Sequence, residues 1–341
     1  MEKPILSIII PAHNTEDYLP GCVESIRRQT GLPFEILLVD DSSTDRTGEI
    51  CDGFAMEDSR IRAVHVQFRD VSLTRNAGLQ LARGEYVGFC DGDDAADPAW
   101  FQKLAEVLSE HRPDVIRYGY RQVSGTGRED FLLSDPEGMC SDAMLRRWRL
   151  DGICPEGVLD YSIPRMLTVY SHVFRREFLE KNGLRFVSQK EILSEDYLFI
   201  LRCLWQAESV YHLPEVLYDY MVHPGSLSRK PKANMMQRKQ ALIREYLRFL
   251  PMEDPEVPLR LRNFYIDSVY DCFVNACTQC ASRADAMERI RPLLADPDLH
   301  RCLKSARKEI RSAKAKCICF LMAHRMGTAM YECYRIMTRK K

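Results

Sequence analysis

No stretch of this chain comes near the roughly 18 uncharged apolar residues that a bilayer-crossing helix needs. Even CICFLMAH, close to the end, is bounded by Lys316 and Arg325. A leader peptide is not expected: the first apolar run, Ile5 to Ile10, is short, is broken by Pro11 and reads as a strand. The 13 cysteines follow no ladder of spacings, and Cys277 with Cys280 has no second pair to complete a zinc site. Reduced thiols in a cytoplasm account for them. A glycine-rich phosphate loop is missing too, since PAHNTEDYLPG is neither G-x-G-x-x-G nor a P-loop. A surplus of one charge is also lacking, and a formal net charge of −1 does not suit a general nucleic-acid binder.

The charge that is present is unevenly spread. Residues 301–341 hold 12 Lys or Arg against Glu309 and Glu332, a balance of +10 that leaves −11 for the first 300. At 45% hydrophobic and 28% charged, the 341 residues suffice for one large domain or two modest ones. Five apolar runs recur: ILSIII, FEILLV, IRAVHV, EYVGFC and DVIRYGY, beginning near residues 5, 34, 61, 85 and 114. Intervals of 24 to 29 residues fit a strand, a crossover helix and the next strand. Strands that are apolar nearly throughout belong to a parallel sheet covered on both faces. Between them Thr15 is a candidate helix cap, with Glu16 and Asp17 in the first turn. Asp97 followed by Pro98 marks another helix start, and Gly84 a helix stop. The pattern predicts an α/β fold with a doubly wound, mostly parallel sheet.

The polar clusters fall at strand ends: PAHN after the first, DDSSTD after the second, CDGDD after the fourth. In open parallel sheets, ligands bind outside the carboxyl ends of the strands. Turn chemistry accounts for the Ser, Gly and Asn there, but poorly for doubled aspartates. Asp91, Asp93, Asp94 and Asp97 lie within seven positions, and carboxylates so close repel unless a cation sits among them. With no glycine loop to cradle a diphosphate, a divalent cation held by aspartates is the substitute.

Four segments, LSIIIPAHNTEDYLPGCVESIRRQT, EILLVDDSSTDRTGEIC, VSLTRNAGLQLARGEYVGFCDGDDAADPAWF and SEDYLF, resemble the family-2 inverting glycosyltransferases of the GT-A fold. Order and spacing agree over about residues 4–228. The resemblance implies a GT-A nucleotide-sugar-binding and catalytic domain over 1–230. It implies a metal-dependent hexosyl- or N-acetylhexosaminyl-transferase, using Mn2+ or Mg2+. Such an enzyme moves a sugar from a nucleotide sugar, here a UDP-sugar, to a hydroxyl of a glycan, lipid-linked or cell-surface polysaccharide acceptor. By the same resemblance Pro11, His13 and Asn14 would border the nucleotide. Asp41 would accept a hydrogen bond from uracil, supported by Asp40. Arg75 and Asn76 would face the base and pyrophosphate, and Asp91 the ribose. Asp93 would ligate the metal with Asp94 beside it. Asp196 would be the general base, with Glu195 positioning the acceptor or the base. LYDYMVHPGSLSR resembles the family's closing loop, in which His223 would contact metal or phosphate, and Ser226 and Arg229 phosphate. Met221 stands where arginine is common. His172, at the usual lysine position, is either a pH-dependent cation near the diphosphate or a structural imidazole.

The chemistry requires these residue types. A departing nucleoside diphosphate gains negative charge that a divalent cation stabilises. A carboxylate within reach of the acceptor hydroxyl contributes about 10²–10⁴-fold as a base. Against this stand a catalytically degenerate sugar-nucleotide-binding or scaffold protein, and a sugar nucleotidyltransferase, whose G-x-G-x-R near the first strand is missing. Beyond Lys232 the strands stop, and residues 231–341 read as a helical region with a basic amphipathic tail. That tail, 301–341, reads either as a surface for anionic lipid, on the inner face of the plasma membrane, or as a helix packed on the appendage or a partner.

Overall fold

The computed structural model describes residues 3–159, 167–223, 232 and 234–338. It divides into two compact units: residues 3–146 with 167–223, and residues 147–159 with the described residues from 232 onward.

The first unit is built on one sheet. Its strands are β1 (Leu6–Ala12), β2 (Phe34–Asp41), β3 (Ile61–Val66), β4 (Tyr86–Phe89), β5 (Ala95–Ala96), β6 (Val115–Ser124), β7 (Gly127–Phe131), β8 (Gly138–Met139), β9 (His172–Arg175) and β10 (Val210–Met221). The order is β3-β2-β1-β4-β9-β6-β10-β5, with β7 paired to β6 and β8 to β10. Pairs β2–β3, β1–β2, β1–β4 and β6–β10 are parallel. The short β9 runs antiparallel to both its neighbours. β1 and β2 are buried along their whole length, which is why their sequence shows a continuous apolar run rather than alternation.

The crossover helices are α1 (Leu19–Arg27), α2 (Thr47–Glu57), α3 (Val71–Leu81) and α4 (Trp100–Glu110), followed by α5 (Asp142–Ile153), α6 (Arg176–Lys181) and α7 (Glu195–Gln206). Leu19, Val23 and Ile26 of α1, with Trp100, Phe101 and Leu104 of α4, share one core with Ile8, Ile10, Ile36 and Leu38. The other face carries a ring cluster in which Phe89 meets Phe174, Phe186 and Phe199 edge-on at 5.4 to 6.4 Å. Burying each such ring stabilises the fold by about 1.5–3 kcal/mol.

Three local expectations change. Thr15 does not cap a helix through its side chain; its carbonyl closes a turn by accepting from Tyr18 and Leu19 N–H, and α1 starts at Leu19 with Pro20 setting its first turn. Asp97 starts α4 as a turn, Oδ1 accepting from Ala99 N at 3.0 Å, so that regular helix begins at Trp100. Gly84 lies beyond the end of α3 and is required for closeness to β1: a Cβ there would lie 2.6 Å from Ser7 N.

The second unit is helical: α8 (Met235–Phe249), α9 (Glu256–Gln279), α10 (Arg283–Ala295), α11 (Pro297–Ala306), α12 (Ala313–Ala323) and α13 (Gly327–Thr338). Ile266, Val269, Phe273 and Ala276 of α9 form its core with Ile290, Leu299, Met322 and Met330. Buried Asp267 accepts from Leu159 N at 2.9 Å. All 13 cysteines are free thiols. Among the described residues no helix is long and apolar enough to cross a membrane.

Candidate active site at the carboxyl rim of the sheet

The loops after β1 and β2 are laced together. Asn14, at a positive φ of 53°, accepts from Thr44 N through Oδ1 at 2.8 Å, and its own N–H donates to Ser43 Oγ. His13 Nδ1–H donates to the Asp41 carbonyl at 2.6 Å. Pro11 is buried in β1, its carbonyl oxygen 3.2 Å from where a Gly92 Cβ would stand, so the β1 and β4 ends touch through that glycine. Asp40 pairs with His65 at 2.9 Å and accepts from Ser43 N.

Asp41 is 4% exposed and saturated from within the chain. Oδ1 accepts from Phe68 N and Arg69 N, both at 2.7 Å; Oδ2 accepts from Asp70 N and Thr74 Oγ1, both at 2.8 Å. Burial pushes this carboxyl up, but those donors outweigh it and hold it below its ordinary value. Asp41 thus shapes the Phe68–Asp70 turn, whose Asp70 caps α3 through Ser72 N and Leu73 N.

The cap aims α3 so that Arg75 enters the protein. Its guanidinium donates to Asp91 Oδ1 at 2.9 Å and to Glu195 Oε1 at 3.4 Å, and lies 5.5 Å from the Phe186 ring centre. Arg75 is 5% exposed; burial opposes its charge, yet Asp91 and Glu195 outweigh burial. Its neighbour Asn76 exchanges two hydrogen bonds with the Phe186 backbone, at 2.9 and 3.0 Å. One buried cation therefore joins the β4 end to the first residue of α7.

Beyond β4 the aspartates separate by role. The Asp91 N–H donates to Tyr218 Oη at 3.1 Å, and Tyr218 donates to Asp94 Oδ2 at 2.5 Å. Asp94 Oδ1 accepts from Met221 N at 2.7 Å, so this carboxylate is committed to β10. Burial, with Asp91 and Asp93 nearby, pushes the Asp94 carboxyl up. Asp93 is half-buried, and among the described residues its carboxylate takes no hydrogen bond from any other side chain. Burial and then the Asp91 charge raise it. His223 donates through Nε2 to the Asp93 carbonyl at 3.1 Å and packs on Tyr18, ring centres 4.0 Å apart.

Glu195 and Asp196 open α7 after Ser194, whose φ is 60°. Asp196 Oδ1 accepts from Tyr197 N at 2.9 Å. Burial and the Glu195 charge raise its carboxyl to about 7, with Arg75 pulling the other way and Asp91 adding to the rise. The rim thus gathers Arg75, Asp91, Asp93, Asp94, Glu195 and Asp196. His172 does not reach it: the ring is fully buried, Nδ1 donates to the Thr168 carbonyl at 2.9 Å, and burial with Arg117 lowers it to about 3. It is a neutral structural imidazole. Ser226 and Arg229 lie outside the described residues. Tyr218 and Asp70 escaped the sequence reading; the alternation Tyr218, Tyr220 in β10 was the available signal for the first. Two surface cavities, of about 560 Å³ beside α8, α9 and α11 and about 520 Å³ around Lys3 and Arg176, do not include these residues.

Known proteins share this chain's sequence pattern and its fold. The profile of glycosyl transferase family 2 matches residues 7–182. An uncharacterised glycosyltransferase, EpsJ, of Bacillus subtilis is 31% identical over 299 residues, covering 85% of this chain and 83% of its own. The glycosyltransferase GlyG of Streptococcus pneumoniae is 30% identical over 238 residues, covering 66% and 73%. The crystal structure of S. aureus TarS 1–349 in complex with UDP-GlcNAc superposes with a TM-score of 0.68 at 20% identity, covering 97% of this chain and 91% of that one. The mannosyltransferase PcManGT from Pyrobaculum calidifontis, in complex with GDP-Man and Mn2+, superposes with a TM-score of 0.52 at 16% identity, covering 99% and 84%.

Proposed function

The chain belongs to glycosyl transferase family 2 and is a glycosyltransferase; from that premise we propose that it transfers a sugar, with inversion, from a UDP-sugar to a hydroxyl of a glycan, lipid-linked or cell-surface polysaccharide acceptor. The observation that carries this reading is the buried Arg75, which joins Asp91, two residues before the half-buried Asp93, to Glu195, next to Asp196, whose carboxyl is raised to about 7.

Asp93 fits a divalent cation. It is a hard oxygen donor in a half-buried place, raised by burial and a second carboxylate, and a cation would relieve both. Asp94 and His223 are already engaged, and among the described residues no three His, Cys, Asp or Glu side chains converge on one point. Asp93 would therefore hold Mn2+ or Mg2+, with Asp94 and His223 fixing its loop. When bound, the ion supplies positive charge against the departing diphosphate.

The chain's own residues do the rest. Asp196, ionised, takes the proton of the acceptor hydroxyl; the acceptor oxygen bonds to the anomeric carbon; the bond from that carbon to the diphosphate oxygen breaks, and the nucleoside diphosphate leaves. Glu195 is tied to Arg75 and so is a positioning residue rather than a nucleophile, which favours one direct displacement and inversion. Asp91 would face the ribose with Arg75 steadying it. Pro11, His13, Asn14 and Asp40 would border the nucleotide. Asp41 and Asn76 would act on it indirectly, through the Phe68–Asp70 turn and the Phe186 backbone. Residues 1–230 would be the catalytic domain and 231–341 its helical appendage.

The basic tail is part of this proposal. α12 and α13 bury Ile318, Met322 and Met330 but leave Phe320 and Ile336 exposed; Met326 between the helices is exposed too, as are Lys314, Lys316 and Arg325. Exposed apolar side chains in a segment that also exposes cations suit an anionic membrane surface on the cytoplasmic side. The donor assignment is tested by offering UDP-, GDP- and dTDP-sugars with Mn2+ and reading thermal stabilisation and donor hydrolysis. UDP-sugars are expected to give both. Stabilisation without hydrolysis or transfer would indicate a binding protein, and a response to GDP-sugars alone would move the donor class.

A further inference from the structure

We propose that His65 is a positioning residue for the nucleotide: as an imidazolium clasped between Asp40 and Asp52, it fixes the loop after β2, so that nucleoside-diphosphate affinity follows its protonation. The proposal rests on the reading of His13, Asn14 and Asp40 as the border of the nucleotide.

Three elements meet at this ring. Asp40 and His65 are register partners near the carboxyl ends of the parallel strands β2 and β3. α2 comes close to the pair at Gly48, in its first turn, where a Cβ would stand 3.2 Å from Asp40 Oδ2 and 3.5 Å from the imidazole. One turn further along α2 is Asp52. His65 Nδ1 lies 2.9 Å from Asp40 Oδ2, and Nε2 lies 3.1 Å from Asp52 Oδ1. An ionised carboxylate only accepts, and a neutral imidazole donates from one nitrogen alone. Two such bonds held together therefore require both N–H groups, which is the imidazolium.

Asp40 passes the clasp on to the nucleotide loops. Its Oδ1 accepts from Ser43 N at 3.3 Å, and Ser43 Oγ in turn accepts from Asn14 N at 3.0 Å. Ser42 and Asn14 hold φ values of 59° and 53°, a left-handed backbone that a residue with a Cβ keeps only when its surroundings enforce it. Deprotonation leaves one N–H for two carboxylates, so one arm opens and the other loses its charge assistance. Among the described residues, the charged groups facing the ring are Asp40 of β2 and Asp52 of α2. The Cys51 thiol near both carboxylates is pushed up to about 12 by burial and by their charge, and stays neutral. The bonds to Asp40 and then Asp52 raise the imidazole above its ordinary value of about 6.5, with burial opposing them. The clasp is complete below that ordinary value and is lost as pH rises through the raised one. Nucleotide affinity weakens in the same direction.

The test is calorimetric titration of UDP with Mn2+ into the full chain at about pH 6 and about pH 8.5, on either side of the imidazole transition. Comparing proteins at one pH cancels the titration of UDP itself. At the lower pH, His65→Gln should bind UDP about threefold more weakly than the native chain, the scale of a half-exposed charged pair; at the higher pH the two should agree. His65→Arg keeps a charge and can donate to both carboxylates, so it should match the native chain at the lower pH and exceed it about threefold at the higher. That rescue separates the clasp from a merely structural imidazole. Equal affinity of His65→Gln and the native chain at the lower pH, or His65→Arg binding no better than His65→Gln there, overturns the proposal. A native chain that binds no UDP at either pH would instead overturn the nucleotide reading beneath it.

Discussion

Replacing Asp196 by Asn probes the base most sharply. Asparagine keeps the shape and an oxygen able to accept from Tyr197 N, but it cannot take a proton. A positioned base contributes about 10²–10⁴-fold, so kcat should fall by that factor, about 3–5.5 kcal/mol of barrier. The pH dependence is the stricter part. With the carboxyl near 7, about one-tenth of it is ionised one unit lower, and transfer should fall about tenfold per pH unit below neutrality. The residual activity of Asp196→Asn should lose that acid limb. Stability gives an independent sign. The folded value lies above the unfolded carboxylate value of about 3.9, so the folded state binds more protons between the two, and wild-type stability falls as pH rises through that window. The Asn variant should lack this fall. Nucleotide release across about pH 5.5–8.5, with denaturation at both ends, measures both. Near-wild-type kcat, or an acid limb near 7 that survives the substitution, would refute the assignment.

Arg75→Met should leave Asp91 and Glu195 unpaired in a buried place, costing about 3–5 kcal/mol in denaturation. It should also shift the acid limb of transfer to higher pH, since Arg75 holds Asp196 down; an unmoved limb would contradict this. Gly84→Ala should destabilise by about 1–3 kcal/mol, because its Cβ meets Ser7 backbone at 2.6 Å, and an unchanged Tm would dispose of that explanation. Lys314→Glu with Lys316→Glu should reduce cosedimentation with phosphatidylserine vesicles, each lysine being worth about 1 kcal/mol near such a surface, and recovery equal to wild type would remove the membrane from the proposal.

The doubly wound sheet was legible because strands buried on both faces leave unbroken apolar runs, as in β1 and β2. β9 was not: four residues, His172–Arg175, carry too little pattern, and their place between β4 and β6 is set by non-local pairing. Gly84 shows a subtler miss. Its position suggested a helix stop, while the constraint comes from a strand 77 residues away that approaches too closely for a Cβ. Asp40, Asp41, Asp91, Asp93 and Asp94 could be placed by their position after strands, whereas Glu195 and Asp196, at the start of α7, came only from the family resemblance. Their separate roles could not, because they depend on which donors each carboxylate meets: three backbone N–H groups and Thr74 for Asp41, Tyr218 and the Met221 N–H for Asp94, and no other side chain among the described residues for Asp93. The burial of Arg75 between Asp91 and Glu195 was likewise illegible, since both partners come from other elements.

The central claim is that Asp93 recruits a divalent cation that secures the nucleotide while Asp196 serves the acceptor. Calorimetric titration of UDP, with and without Mn2+, into the native chain, Asp93→Ala and Asp196→Asn tests it directly. Mn2+ should tighten UDP binding to the native chain and to Asp196→Asn but have no effect on Asp93→Ala. Equal affinity with and without Mn2+ in the native chain, or a full Mn2+ effect in Asp93→Ala, would contradict it.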